Sequence, residues 1–105
     1  MNKVLGLVGL AKRAGRVLSG ESASKEAVRF GKAHLVIIAG DASLNTAKSL
    51  TDSCKYYGVP YYIYGTKNTL GHSIGHEFNA ALCVTDAGFA KSIEKCLQAN
   101  INGGE

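Results

Sequence analysis

The sequence predicts an α/β fold arranged as a three-layer α/β/α sandwich. Helical and strand periodicities alternate along the chain, turns bearing glycine or proline separate them, and one β-branched run is apolar throughout. A chain of 105 residues with 46% apolar content is the size of one domain with one core. We assign that domain to residues 1–99 and expect an Asn- and Gly-rich flexible tail over 100–105.

Asn2 can cap a first helix whose Val4, Leu5, Val8 and Ala11 share one stripe, running to about Ala14 with Gly15 at its end. Arg16 to Ser19 is a short extended piece closed by Gly20. Glu21 or Ser22 opens a second helix that stops near Gly31, with Ala23, Ala27 and Phe30 on its apolar side and Lys25, Arg29 and Lys32 on another. Leu35 to Ala39 is a continuous apolar run, as expected of a central strand covered on both faces. After the turn Gly40 to Ser43, helical spacing of Leu44, Ala47, Leu50, Thr51 and Cys54 continues to Gly58 and Pro60. Tyr61 to Tyr64 makes a third strand, and Thr66 caps a short helix with Leu70 and Ile74 that gives out at Gly75. Ala80 to Val84 is the fourth strand, and Phe89, Ile93, Cys96 and Leu97 draw the stripe of a last helix.

Composition narrows the function classes. No apolar run approaches the roughly 20 residues a membrane-spanning helix needs, and Lys12, Arg13 and Arg16 follow the apolar start where a signal peptide would carry its cleavage site, so a soluble chain without a leader is expected. Cys54, Cys83 and Cys96 are an odd set without CxxC spacing, each in an apolar pattern, which suggests reduced thiols, a cytoplasmic setting and neither disulfide framework nor zinc site. The net charge of +4 is unevenly spread: residues 1–33 carry seven cations against Glu21 and Glu26, a local +5, whereas residues 34–105 sum to −1. A one-sided excess of cations suits a polyanion, because neutralised phosphates release counterions.

Three segments then carry a family likeness: LVGLAKRAGRVLSG from Leu7 to Gly20, GKAHLVIIAGDAS from Gly31 to Ser43, and LGHSIG from Leu70 to Gly75. In register with the element order, they resemble the L-seven-Ae and L-thirty-e ribosomal protein family, in its bacterial YlxQ-like branch. The resemblance spans about Val4 to Ile93. It implies a mixed four-stranded sheet and a non-enzymatic role binding kink-turn RNA, a sharply bent element built on sheared G·A pairs. The family's RNA contacts fall here on Gly20 to Arg29, Gly40 to Ser43 and Gly75 to Ala80. The expected RNA-binding residues are Lys12, Arg13, Arg16, Gly20, Ser22, Lys25, Arg29, Lys32, Gly40, Asp41, His76 and Asn79, forming one cationic face. Where the family's best RNA readers carry Asn, Glu and Lys, this chain has Ser22, Ala23 and Glu26, so the alternative is a protein-interaction module on the same fold that has lost kink-turn recognition. The implied partners are structured, ribosomal RNA and ribosomal proteins, with no cofactor, membrane or small-molecule substrate.

Other constellations compete less well. Gly71 to Gly75 satisfies G-x-S-x-G, but it lies at the far end of a short helix rather than at the strand-to-helix turn that exposes a serine nucleophile. His72 and His76 are four apart, yet Gly75 interrupts any helix between them. Gly65, Thr66 and Lys67 suggest phosphate binding at a helix start, against which Thr66 as an ordinary N-cap is favoured. Tyr56, Tyr57, Tyr61, Tyr62 and Tyr64 offer stacking surfaces, which strand alternation and burial at a helix end are expected mostly to consume.

Overall fold

The computed structural model describes residues 2–103 and contains five helices and a four-stranded sheet. In chain order these are α1 (Lys3–Arg13), β1 (Val17–Ser19), α2 (Glu21–Arg29), β2 (Leu35–Ile38), α3 (Leu44–Tyr57), β3 (Tyr61–Ile63), α4 (Lys67–Ser73), β4 (Ala81–Val84) and α5 (Ala87–Gly103). The strand order is β1-β4-β2-β3, with β4 antiparallel to both β1 and β2, and β3 parallel to β2. The α/β sandwich and its mixed four-stranded sheet are as expected.

Alternation divides the core into two layers. Leu35, Ile37, Leu82 and Val84 face α1, α4 and α5, where they meet Val4, Val8, Leu70, Ile93 and Leu97. Val36, Ile38, Ala81 and Cys83 face the other way, against Ala27 and Val28 of α2 and Leu50 and Cys54 of α3. Every residue of β2 and β4 is buried, which explains why Leu35 to Ile38 reads as a run without polar interruption. Full burial of such side chains stabilises by roughly 1.5–3 kcal/mol each.

Local signals set the helix ends. The Asn2 side chain accepts the Leu5 N–H, Ser43 accepts that of Thr46, and Thr66 with Thr69 forms a reciprocal capping box. Gly58 ends α3 at φ 71°, where a residue with a Cβ would be strained. One stripe differs from expectation: α2 turns Ser24, Ala27 and Val28 inward, and Phe30, one residue past its end, is 59% exposed. Helix α5 also continues to Gly103, beyond Asn100 where the tail was expected to begin, and residues 104 and 105 lie outside the described part. No helix among the described residues is long and apolar enough to cross a membrane.

Candidate nucleic-acid interface

Strand direction decides which loops meet. Strands β1, β2 and β3 point one way and β4 the other, so the segments leaving the first three and the segment entering the fourth gather at one end of the sheet. Backbone bonds tie them together there. The Gly20 N–H donates to the Ala81 carbonyl, that of Ala39 to Ala80, and that of Gly40 to Gly65, each at 2.8 Å. A side-chain relay adds to this: Ser43 Oγ donates to Thr46 Oγ1 at 3.0 Å, and Thr46 donates onward to the Glu21 carboxylate at 2.9 Å. The start of α2, the loop Gly40–Ser43 and the loop Gly75–Ala80 thus form one surface, which we term the loop end.

Gly20, at φ 98°, opens α2 and has no side chain to cap it, so among the described residues no N-cap side chain accepts from the first-turn N–H groups. Such a terminus carries partial positive charge and free donors, a setting for phosphate. The loop Gly75–Ala80 is pinned along α4 by the His76 N–H on the Gly71 carbonyl at 2.8 Å and the Asn79 N–H on Lys67 at 2.9 Å. Close approach demands glycine at position 71: a Cβ there would stand 2.8–2.9 Å from the Phe78 backbone. Pressed down in this way, the loop turns the Phe78 ring outward, 62% exposed. Leu44, at the start of α3, and Ile63, at the end of β3, are also exposed at this end.

The expected site residues do not form one face. Gly20, Ser22, Gly40, Asp41, His76 and Asn79 belong to the loop end, and Lys25 follows one turn into α2 beside a groove of about 440 Å³ between α2 and α3. Lys12, Arg13, Arg16, Arg29 and Lys32 lie at the opposite end. The reason is geometric: α1 leads into β1 and α2 follows it, so the C-terminal turns of both helices sit where β1 and β2 begin. There the Thr85 N–H donates to the Arg16 carbonyl and the His34 N–H to Val84, joining the starts of β1 and β2 to the end of β4. Helix α2, nine residues long, separates the two ends by about 13 Å. Part of this cation placement has a structural cause, because Lys12 and Arg13 in the last turn of α1 and Arg29 in that of α2 complement the helix dipoles.

Two loop-end residues have roles other than the expected ones. Asp41 accepts the Lys67 N–H at 2.7 Å, so its carboxylate anchors the start of α4 rather than standing free. Asn79 is only 6% exposed, and its side-chain NH₂ meets no acceptor among the described residues. The exposed ring of the loop is Phe78, which periodicity and spacing do not single out. A backbone pinned to α4 at residues 76 and 79 leaves residue 78 facing out, a signal that exists only once the loop is folded.

The remaining constellations resolve by geometry. Ser73 ends α4, and its hydroxyl donates to the Leu70 carbonyl at 2.7 Å, a local helix bond instead of a nucleophile's exposed turn. Gly75, at φ 78°, takes the chain out of helical geometry between His72 and His76, and no group of three metal-ligating side chains gathers among the described residues. Thr66 and Asp41 already occupy N–H groups at the start of α4. Tyr56 and Tyr57 are not buried at the helix end as expected: they are 82% and 45% exposed and stack edge to face at 4.8 Å. Cys54 and Cys83 are fully buried under α2 and α3. Burial, with Cys83 nearby, pushes the Cys54 thiol up to about 11, and burial likewise raises Cys83 to about 11.

Comparison with known proteins gives a consistent result. Residues 2–94 match the model of the Ribosomal protein L7Ae/L30e/S12e/Gadd45 family. Over 91 residues, 87% of this chain and 91% of the relative, the sequence is 47% identical to "RNA-binding protein YlxQ" of Bacillus subtilis (strain 168). It is 34% identical to the protein of the same name from Enterococcus faecium, over 91% of this chain and 92% of that one. Among solved structures, a protein of unknown function from Bacillus halodurans superimposes with a TM-score of 0.91 at 37% identity, covering 93% of this chain and 99% of that one. The "Giardia lamblia 15.5kD RNA binding protein" does so at 0.80 and 29% identity, covering 90% and 84%.

Proposed function

The chain belongs to the Ribosomal protein L7Ae/L30e/S12e/Gadd45 family, and from that premise we propose that it binds structured RNA of the kink-turn type at the loop end, without catalysing a reaction. One observation carries the reading: three segments far apart in sequence, the start of α2, Gly40–Ser43 and Gly75–Ala80, converge on one surface that combines free amides with exposed apolar side chains. Phosphates at a bend would meet the first-turn N–H groups of α2, with Lys25 alongside. An unstacked base would lie on Phe78, beside His76. The names of the related proteins from Bacillus subtilis and Enterococcus faecium support RNA as the ligand class.

The ribosomal description of the family makes ribosomal RNA the first candidate to test. The three free thiols support a reducing, cytoplasmic setting for that role. The deciding experiment titrates the protein with a kink-turn RNA beside a control whose sheared G·A pairs are replaced by Watson–Crick pairs. We expect tighter binding to the kinked RNA. Equal affinity for both refutes shape-selective recognition at the loop end.

A further inference from the structure

The free edge of β1 carries a second pairing of aromatic and cationic side chains that the loop end does not use. Among the described residues strand β1 pairs only with β4, which leaves its other edge open there. Leu18 lies opposite Cys83, which faces α2 and α3, so the leucine projects toward α2 and remains 41% exposed there. Phe30, just past the end of α2, joins Leu18, Ala23, Glu26, Ala27 and Lys32 in lining a groove of about 250 Å³. The Arg29 guanidinium stands 5.0 Å from the centre of the Phe30 ring. Arg16 precedes Leu18 by two residues on the same open edge, where strand alternation favours the same face. Among the described residues, Arg16, Arg29 and Lys32 form no ion pair, the one salt bridge being Lys48 with Asp52.

An exposed phenylalanine with Arg29 at its ring and Lys32 in the same groove fits a ligand that presents flat apolar faces at intervals along a polyanion. Single-stranded nucleic acid has both properties, and stacking on aromatic side chains within a positive groove is how such strands are held. An acidic peptide meets the charge but brings no ring. We infer that this edge is a second RNA contact, which stacks an unpaired base on Phe30 above Leu18 and holds the flanking phosphates with Arg16, Arg29 and Lys32. Glu26 on the groove wall repels phosphate and accepts a hydrogen bond from a base amino group, so strands rich in adenine or cytosine are preferred over uridine. The inference takes its ligand class from the RNA-binding reading, but its ring and cations, Phe30, Arg29 and Lys32, stand at the C-terminal end of α2, about 13 Å along the helix from its loop-end start, where Phe30 and Arg29 also line the far end of the groove beside Lys25.

The test measures binding of the full chain to a short fluorescent oligoadenylate and, separately, to the kink-turn RNA. Phe30→Ala and Phe30→Leu should each weaken oligoadenylate binding roughly tenfold, the loss of one stacked base, whereas Phe30→Trp should retain it. Kink-turn affinity should change by less than about twofold in all three, given the separation between the sites. Arg29→Gln with Lys32→Gln should flatten the salt dependence of oligoadenylate binding. Wild-type-like binding by Phe30→Leu overturns the inference, because packing rather than stacking would then suffice. So does the absence of oligoadenylate binding, with a fluorescent oligoglutamate peptide binding in its place. Failure to tell the kinked RNA from its control, with the Phe30 series behaving as stated, removes the loop-end reading alone.

Discussion

The two ends of the sheet differ in kind. The loop end is built from glycine turns, free amides and outward apolar side chains, with Lys25 one turn into α2 and Lys67 next to an Asp41 already committed to α4. The far end gathers Lys12, Arg13, Arg16, Arg29 and Lys32 around the starts of β1 and β2. The difference teaches that amide-bearing loops and clustered cations, which the first third of the linear sequence holds side by side, go to opposite ends of the sheet, so that on the proposed reading shape recognition and charge attraction can be tested separately. Mutation of one end should therefore leave the other's contribution intact.

The largest expected effect spares neither end, because it acts on the core they share. Cys54 and Cys83 have folded-state values of about 11 against an ordinary 9.0. A raised value means that the stabilisation is fully present below pH 9 and is lost as pH climbs through 11, with the unfolded thiols ionising first. The loss is on the order of 2 kcal/mol per thiol. Denaturant unfolding from pH 8 to 11 should show the decline, and Cys54→Ala should flatten it despite lowering stability at neutral pH. An identical slope in that variant would show that other groups cause the decline.

Next in size is a change that breaks the loop end alone. Gly71→Ala places a methyl against the Phe78 backbone, where only a shift of the loop relieves it. We expect a cost of about 1–3 kcal/mol, as for overpacking in general, read by thermal unfolding. Discrimination between kinked and control RNA should fall with it, while oligoadenylate binding at the β1 edge persists. Undiminished discrimination would mean that the loop takes no part in recognition.

Charge removal tests the other side of the comparison. Replacing Lys12, Arg13 and Arg16 with Gln should reduce the slope of log affinity against log salt by roughly 0.7–0.9 for each phosphate that is no longer neutralised. The ratio of kink-turn to control affinity should stay the same. Lys25→Ala combined with Arg29→Ala straddles both ends and should lower slope and ratio together. A triple variant that loses the ratio would show that the cations take part in shape recognition after all.

How much of this was legible in the sequence follows from the range of each interaction. Caps, glycine stops and the apolar run Leu35 to Ile38 are local, so Asn2, Ser43, Thr66, Gly58 and β2 mark themselves. The loops of the candidate site were legible through the family likeness. Which end of the sheet each cation reaches was not, because it depends on strand direction and on two helices carrying their C-termini away from the loops. Phe30 looked like part of an apolar stripe because spacing records angle around a helix but not where the helix stops. The same limit made Asn79 look like an exposed reader and left Phe78 unnoticed: the fold of the loop against α4 exchanges their exposure.

Asn79 supplies the smallest effect and the most direct separation of stability from function. A buried NH₂ without an acceptor costs about 1–3 kcal/mol relative to one that is paired, and here it lies 6% exposed at the centre of the proposed recognition loop. If the residue serves only the fold, Asn79→Ala should destabilise the protein through lost packing and leave RNA discrimination unchanged. If its amide is kept for an acceptor that RNA brings as the loop adjusts, the same variant should unfold at an equal or slightly higher temperature, by about 1 kcal/mol at most, yet discriminate less well between kinked and control RNA. We expect the second pattern. The two measurements move in opposite directions only when a polar group is held at a stability cost for a ligand, so a variant that loses stability while keeping its discrimination would return Asn79 to a purely structural role.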